Sequence, residues 1–470
     1  MPNLQSIAYF SPELILLAAA LGIILITTYL DIWQKTRTTL IGFSLGIALL
    51  ILVVLRPETT HGIFYNLLVW DPFGRFLKIY LVLMAIGLFG IITRDRRTKP
   101  IITAEFGFLF CCMIFAALVT VSANHLIVLF IAMQIINLTD FLISQRNNSN
   151  PGTITSGWHD LIFQVFSGLV MLMGIVLIYG ITGSLFIADI GQILATRPGL
   201  KFPITMAWVM ILFGLVHSIT GVLRLHRDLR SGPVTSESVR LISLTIPQFA
   251  EIGVLFRLIN VGFGKIADQR PLFLTLSLFA VIAIVYPGWL AIKNRNLRDT
   301  LNISGLAQTG FSLLALCALN RSGNSAAIFY QIIFVFGAVA YVAGEIVTDK
   351  DRDIAMPGQL VILASLAGIP LTAGFAAKYL VLSSLAGNGP GNYFLITVGI
   401  FGYALMFVYY SRLIRLNANV LHGSFRLSIQ ADRLIFVLRM FILTAIIFMG
   451  VYWTPLREHI CSIMVLCIPQ

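Results

Sequence analysis

The sequence predicts an all-α polytopic membrane protein that crosses the bilayer about fourteen times. Of 470 residues, 58% are hydrophobic and 11% charged, where a soluble domain carries roughly a quarter charged residues. Apolar runs of eighteen residues or more recur from one end to the other, the length a helix needs to cross the hydrocarbon. A lipid-exposed backbone must satisfy its own hydrogen bonds, so the runs are read as helices. The 38 glycines and 34 phenylalanines suit close helix approach and lipid contact.

Spans are expected near 12–32, 38–55, 74–93, 101–121, 124–144, 159–180, 203–223, 236–260, 271–292, 300–319, 325–346, 357–385, 392–411 and 434–456. The formal net charge is +12, and its distribution reads as membrane orientation rather than nucleic-acid binding. About nineteen Lys and Arg fall in alternate loops, from Lys35 and Arg37 to Arg412–Arg433, and about nine in the others and the tail. The positive-inside rule then places both termini on the outer side. The first helix is expected to stay in place, because neither a basic n-region nor a small-residue cleavage site accompanies it. Segment 184–197 is too short to span and is expected to lie along the outer surface; 412–433 is long, basic and mixed, an expected lateral element on the inner side.

The chain reads as one membrane domain, 1–470, with three N-terminal helices (1–100), a first repeat (101–260), a second repeat (271–414), the 412–433 connection, and a last helix and tail (434–470). Gly368-Ile369-Pro370 interrupts helix 357–385, and Gly221 ends 203–223 in a comparable place five helices earlier. Two five-helix repeats with one broken helix each would follow, as in transporters built on inverted repeats. An ordinary proline kink is the competing reading.

Each charge at bilayer depth needs a partner, a wet cavity or a task. Lys378, eight residues beyond Pro370, is the leading candidate for a group that takes up and releases a proton. A lysine snorkelling to an interface is the alternative. Glu251 faces Gln248 about one turn away; His159 beside Asp160 and His217 beside Ser218 are further proton-path candidates. Arg257, Glu105, Glu345 and Arg439 lie near helix ends, where interfacial solvation explains them. Gln134, Gln164, Gln308 and Gln331 are amides that can pack helices or hold water without changing charge. Helices 124–260 thus offer fewer titratable groups than a pump is expected to carry.

Other chemistries find no support in the sequence. It has no phosphate-cradling glycine loop, no Gly-x-Ser-x-Gly elbow, and no Cys or His cluster for a metal or an iron–sulfur centre. Cys111, Cys112, Cys317, Cys461 and Cys467 have no ligand spacing and are expected to be small apolar fillers.

Four segments carry a family resemblance: Tyr9-Phe-Ser-Pro-Glu-Leu-Ile-Leu16, Asp71-Pro-Phe-Gly-Arg-Phe-Leu-Lys78, Tyr179-Gly-Ile-Thr-Gly-Ser-Leu185 and Gly368-Ile-Pro-Leu-Thr-Ala-Gly-Phe-Ala-Ala-Lys378. The chain resembles subunit N of the proton-translocating NADH:quinone oxidoreductase, respiratory complex I, nearly end to end. The last segment is shared with other antiporter-like subunits and with Mrp-type cation/proton antiporters; the first two favour subunit N. The resemblance implies fourteen helices, two inverted five-helix repeats, broken seventh and twelfth helices, and a place beside other membrane-arm subunits in a bacterial inner membrane. It implies no redox site or cofactor on this chain; NADH, flavin, iron–sulfur clusters and quinone would sit on partner subunits. Lipid is the other expected contact, with no nucleic acid.

The departures from that family pattern are specific. Gln134 stands where the family has a fifth-helix glutamate, Val216 at the seventh-helix lysine with His217 beside it, His159 at the sixth-helix lysine, Gln248 at the eighth-helix lysine and Gln308 at the tenth-helix histidine. Gly221 replaces the seventh-helix proline, and Leu225-His-Arg-Asp228 a Trp-x-Pro-Asp stretch. Only Lys378 keeps its identity. The resemblance therefore implies a proton-translocating subunit with a degenerate first half-channel. The alternatives are a non-pumping structural paralogue of that subunit and a stand-alone Mrp-type antiporter, against which the missing glutamate and lysine count.

Overall fold

The computed structural model describes residues 2–29, 34–57, 59–95, 98, 102–145, 151–196, 201–220, 237–266, 269–293, 300–348, 357–386, 390–421 and 443–465. Among these, nine helices are long and apolar enough to cross a membrane by length and composition. The count of fourteen rests on the full sequence. The backbone divides into two units, Met1–Thr275 with Ile463–Gln470, and Leu276–Ser462.

In the first unit, short helix α1 (Pro2–Tyr9) leads into α2 (Ser11–Tyr29), α3 (Gln34–Val54) and α4 (Pro72–Ile92). Asp71 starts α4: extended itself, it accepts a hydrogen bond from the Gly74 amide at 3.2 Å, and Pro72 follows at the position where a missing N–H costs nothing. Next come α5 (Ala104–Ser122), α6 (Leu126–Gln145), α7 (Pro151–Thr182), the short α8 (Ile187–Thr196), α9 (Lys201–Thr220) and α10 (Glu237–Arg257). Helix α10 is the most enclosed of its unit's spans, buried nearly all round, the condition of a helix with no lipid or water face. Its Pro247 leaves the carbonyl four residues back without a helical donor. A π-helical turn, Leu258–Gly262, and a 3-10 turn, Phe263–Lys265, follow.

Strands β1 (His61–Ile63) and β2 (Leu68–Trp70) form an antiparallel hairpin, with His61 opposite Trp70. Leu68 bridges to Ala123, and His125 to Phe186, while the Ile187 amide donates to the Asn124 carbonyl. The α3–α4, α5–α6 and α7–α8 connections therefore meet at one end of the unit, as alternate crossings require. The tip residues Phe64, Tyr65 and Asn66 all have positive φ, a run that only tight turn geometry sustains.

Helix α11 (Arg270–Lys293) enters the second unit at Leu276, followed by α12 (Thr300–Leu316) and α13 (Arg321–Thr348). The span expected over 357–385 is two helices, α14 (Pro357–Ala367) and α15 (Ala373–Leu385). At 1.5 Å per residue they are about 17 and 20 Å long, so neither covers the roughly 30 Å hydrocarbon alone. Helix α16 (Pro390–Leu421) continues well past the expected end at 411. The start of the segment expected to lie laterally is thus helical and continuous with the span; 422–433 lies outside the described residues.

The last expected span, 434–456, is also revised. Residues 443–451 are helical, Tyr452 and Trp453 are not, and α18 (Thr454–Val465) begins anew, 443–451 being α17. Pro455 contributes to the stop, because it has no amide to offer the Val451 carbonyl four residues back and its ring clashes with that carbonyl. Arg439 lies outside the described residues. The amphipathic segment expected at 184–197 is present as α8.

Candidate functional site

The break between α14 and α15 is built by its sequence. Pro370 has no amide hydrogen and biases Ile369 away from helix. Gly368 takes φ +85°, the left-handed conformation that closes helices. Its amide bonds to the Ser365 carbonyl at 2.9 Å, and the Ile369 amide to the Ala364 carbonyl at 2.9 Å, the two bonds of a Schellman cap. Leu371 is left-handed as well, with φ 72°, and is exposed. Thr372 is extended and opens α15.

The cap leaves the Leu366 and Ala367 carbonyls without amide donors, and Lys378 takes both. Its Nζ donates to Leu366 O at 3.1 Å and to Ala367 O at 2.9 Å. A cation there faces the negative end of α14, where the helix dipole favours it. Lys378 is 3% exposed, so the snorkelling alternative does not apply. The Tyr403 ring lies 4.7 Å from Nζ and that of Phe311 5.9 Å. Tyr403 also donates its hydroxyl to the Gly368 carbonyl at 2.7 Å. Among the described residues no carboxylate pairs with Lys378. Glycine is required again at 374, where a Cβ would overlap the Ser365 carbonyl.

Beyond Phe311 lies a buried polar row. Ser304, Gln308 and Ser312 recur every four residues on α12, one above the other on a helix face. Tyr330 donates to Gln308 Oε1, the Tyr410 hydroxyl faces Ser304 and Gln308, and Ser312 donates to Gln331 Oε1 at 3.1 Å. The Phe311 ring stacks on Tyr330 at 5.6 Å and so stands between this row and Lys378.

In the first unit, the expected candidates scatter. Glu251 and Gln248 are 0% and 2% exposed on α10. His159 is exposed on α7. Gln134 packs on Gly168, where a Cβ would lie 2.5 Å from its Nε2. Val216 and His217 fall on the last turn of α9, with side chains outside the described residues; Gly221 is outside them altogether. Glu105 is exposed in the first turn of α5, consistent with interfacial solvation.

Two buried ion pairs escaped the sequence reading. Lys78 Nζ lies 2.6 Å from Glu13 Oε1, both essentially inaccessible, with the ammonium 4.9 Å from the Trp70 ring. Arg257, read as an end anchor, is buried and bonds both Asp71 oxygens, at 2.9 and 3.1 Å. A lysine two turns into an apolar segment and a glutamate opening another were the available signals.

A polytopic helical bundle with a buried lysine at a broken helix defines a class of integral membrane protein. The family model described as "NADH:quinone oxidoreductase/Mrp antiporter, TM" matches residues 123–405, more than half of the chain. The protein belongs to this NADH:quinone oxidoreductase/Mrp antiporter family. NADH-quinone oxidoreductase subunit N of Chlorobium chlorochromatii (strain CaD3) is 26% identical, covering 96% of this chain and 94% of its own length. A chain of respiratory complex I from Thermus thermophilus superposes with TM-score 0.75 at 18% identity, covering 95% of this chain and 98% of that one. A chain of the membrane-bound sulfane sulfur reductase, an archaeal respiratory membrane complex, does so with TM-score 0.78 at 15% identity, covering 98% and 97%. These superpositions bear on the fold.

Proposed function

We propose that this chain is an antiporter-like membrane-arm subunit of a complex I-like NADH:quinone oxidoreductase, with Lys378 as its proton-carrying group and a degenerate first half-channel. The observation that carries the reading is the lysine itself: buried, facing the end of a half-helix, and paired with backbone carbonyls rather than a carboxylate. Such an ammonium can lose its proton without stranding a buried counter-charge. Family membership and the end-to-end likeness to a subunit N support the assignment to that assembly. In this reading the chain makes fourteen crossings in two inverted repeats and has both termini on the outer side of a bacterial inner membrane. Neighbouring membrane subunits and lipid surround it, and other subunits carry NADH, flavin, iron–sulfur clusters and quinone.

The degenerate half-channel rests on Gln134, Val216 and Gln248, neutral groups at positions where the resemblance implies charge. Glu251, His217 and His159 are the proton-path candidates that remain in it. A second reading, a structural paralogue that moves no protons, is favoured by the amide at Gln308, whose oxygen is occupied by the Tyr330 hydroxyl. The two separate on one comparison. Proton translocation per electron is measured in reconstituted complex before and after Lys378→Ala at matched assembly. A lowered ratio is expected; an unchanged ratio removes the transport role from Lys378 and leaves the structural reading.

A further inference from the structure

At the end of α14 every carbonyl is engaged, that of Ala364 by the amides of both Gly368 and Ile369. Ala364 and Ser365 go to the Schellman cap, Leu366 and Ala367 to Lys378, and Gly368 to Tyr403. The three groups at the break are in close contact: a Cβ on Gly368 would lie 3.0 Å from Lys378 Cδ, from Lys378 Nζ and from Tyr403 Cε2. An ammonium has three N–H groups. Two are spent on Leu366 and Ala367, and the candidates for the third are the Gly368 carbonyl and the Tyr403 ring.

We propose that Tyr403 is a positioning residue that sets how tightly Lys378 holds its proton, by occupying the Gly368 carbonyl with its hydroxyl and offering its ring face to the ammonium instead. A ring face holds a cation less firmly than a carbonyl accepting a charge-assisted hydrogen bond. The phenol thus competes with the ammonium for that carbonyl, which favours release: Lys–NH₃⁺ gives Lys–NH₂ and a proton, with no redox partner. The arrangement isolates this effect, because α12 and α14 carry no titratable side chain. Helix α13 brings Tyr330, which stands behind Phe311, and α16 brings Tyr403 itself. The inference rests on the reading of Lys378 as a proton carrier, but its test does not.

Only the neutral amine reacts with a small acylating reagent, so the pH of half-maximal Lys378 acylation reports the proton directly. It is read by peptide mass spectrometry on the purified complex. Tyr403→Phe keeps the ring and releases the Gly368 carbonyl to the ammonium. The midpoint is expected to rise by about one pH unit, a tenfold change in proton affinity. Tyr403→Leu releases the same carbonyl and removes the ring, so its midpoint is expected below that of Tyr403→Phe. Equal midpoints in the parent and Tyr403→Phe overturn the proposal, as do equal midpoints in the two variants. Failure of Tyr403→Phe to assemble also overturns it, since losing one oxygen would then break the fold rather than retune the lysine. Shifted midpoints with an unchanged proton-to-electron ratio in Lys378→Ala would leave Tyr403 in its role and remove the transport reading alone.

Discussion

The guanidinium of Arg257 bonds both carboxylate oxygens of Asp71, 186 residues away in the chain, at 2.9 and 3.1 Å. The pair ties the last residue of α10 to the N-cap of α4, so one carboxylate starts one helix and holds the end of another. Below it the helices continue to interlock: the Phe73 and Phe256 rings lie 4.2 Å apart, those of Tyr80 and Phe249 4.5 Å. The most enclosed helix of the first unit is thereby fixed in register against α4.

Arg257→Leu is therefore expected to lower stability more than the double variant Arg257→Leu with Asp71→Asn. Removing one member of a buried pair leaves a charge without its partner and costs about 3–5 kcal/mol, while removing both charges is close to neutral. Asn keeps the capping oxygen for the Gly74 amide. Thermal unfolding in detergent of the parent, the single variants and the double variant checks this; a double variant no more stable than the worse single one would refute it.

His125 provides a pH dependence at the end of the unit where the short strands meet. Its ring edge packs on Phe186, with centroids 5.0 Å apart, and burial holds its pKa below the ordinary 6.5. The folded state thus binds this proton less readily than the unfolded chain. Stability is unaffected by this group above the unfolded value and falls as pH drops through it toward the lower folded one. Melting temperature measured from pH 8 to about pH 5 is expected to decline less on the acid side in His125→Leu than in the parent. Parallel curves for the two proteins would contradict that.

Gly374 is expected to tolerate no side chain. A Cβ there would overlap the Ser365 carbonyl, whereas at Gly87 on α4 nothing lies within 4 Å. Gly374→Ala must push α15 away from α14 and carry Lys378 off the Leu366 and Ala367 carbonyls. Gly87→Ala, a change that raises helix propensity, is the control. Expression and melting temperature of the two variants give the comparison, with loss expected only for Gly374→Ala.

The broken helix was legible because its signals are local. Pro370 and Gly368 act within one turn of themselves, and a lysine shortly afterwards in an apolar run demands explanation from sequence alone. The Tyr403 contact was not legible, because its partners are 25 and 35 residues away and the residue itself looks like any aromatic in a span. The ion pairs were hidden for a related reason. Asp71 and Arg257 each sit at a helix end, where solvation is the default account of a charge, and only packing of α4 on α10 makes them meet. The hairpin at 61–70 offered no alternation long enough to register, and three consecutive left-handed residues at its tip follow no glycine signal.

Gln308 is where stability and function can be pulled apart. Its Oε1 accepts from Tyr330, and the Tyr410 hydroxyl faces it from α16. Gln308→Leu preserves bulk and leaves the Tyr330 hydroxyl buried without this acceptor, at a cost of about 1–3 kcal/mol. A lower melting temperature is expected, and Tyr330→Phe added to Gln308→Leu is expected to recover part of it, because the orphaned hydroxyl is removed. Proton translocation per electron is then measured in the stabilised double variant. If the polar row beyond Phe311 supplies protons to Lys378, the ratio falls although the fold is restored. If the row only holds α12, α13 and α16 together, the ratio equals that of the parent, and the row is removed from any route to Lys378.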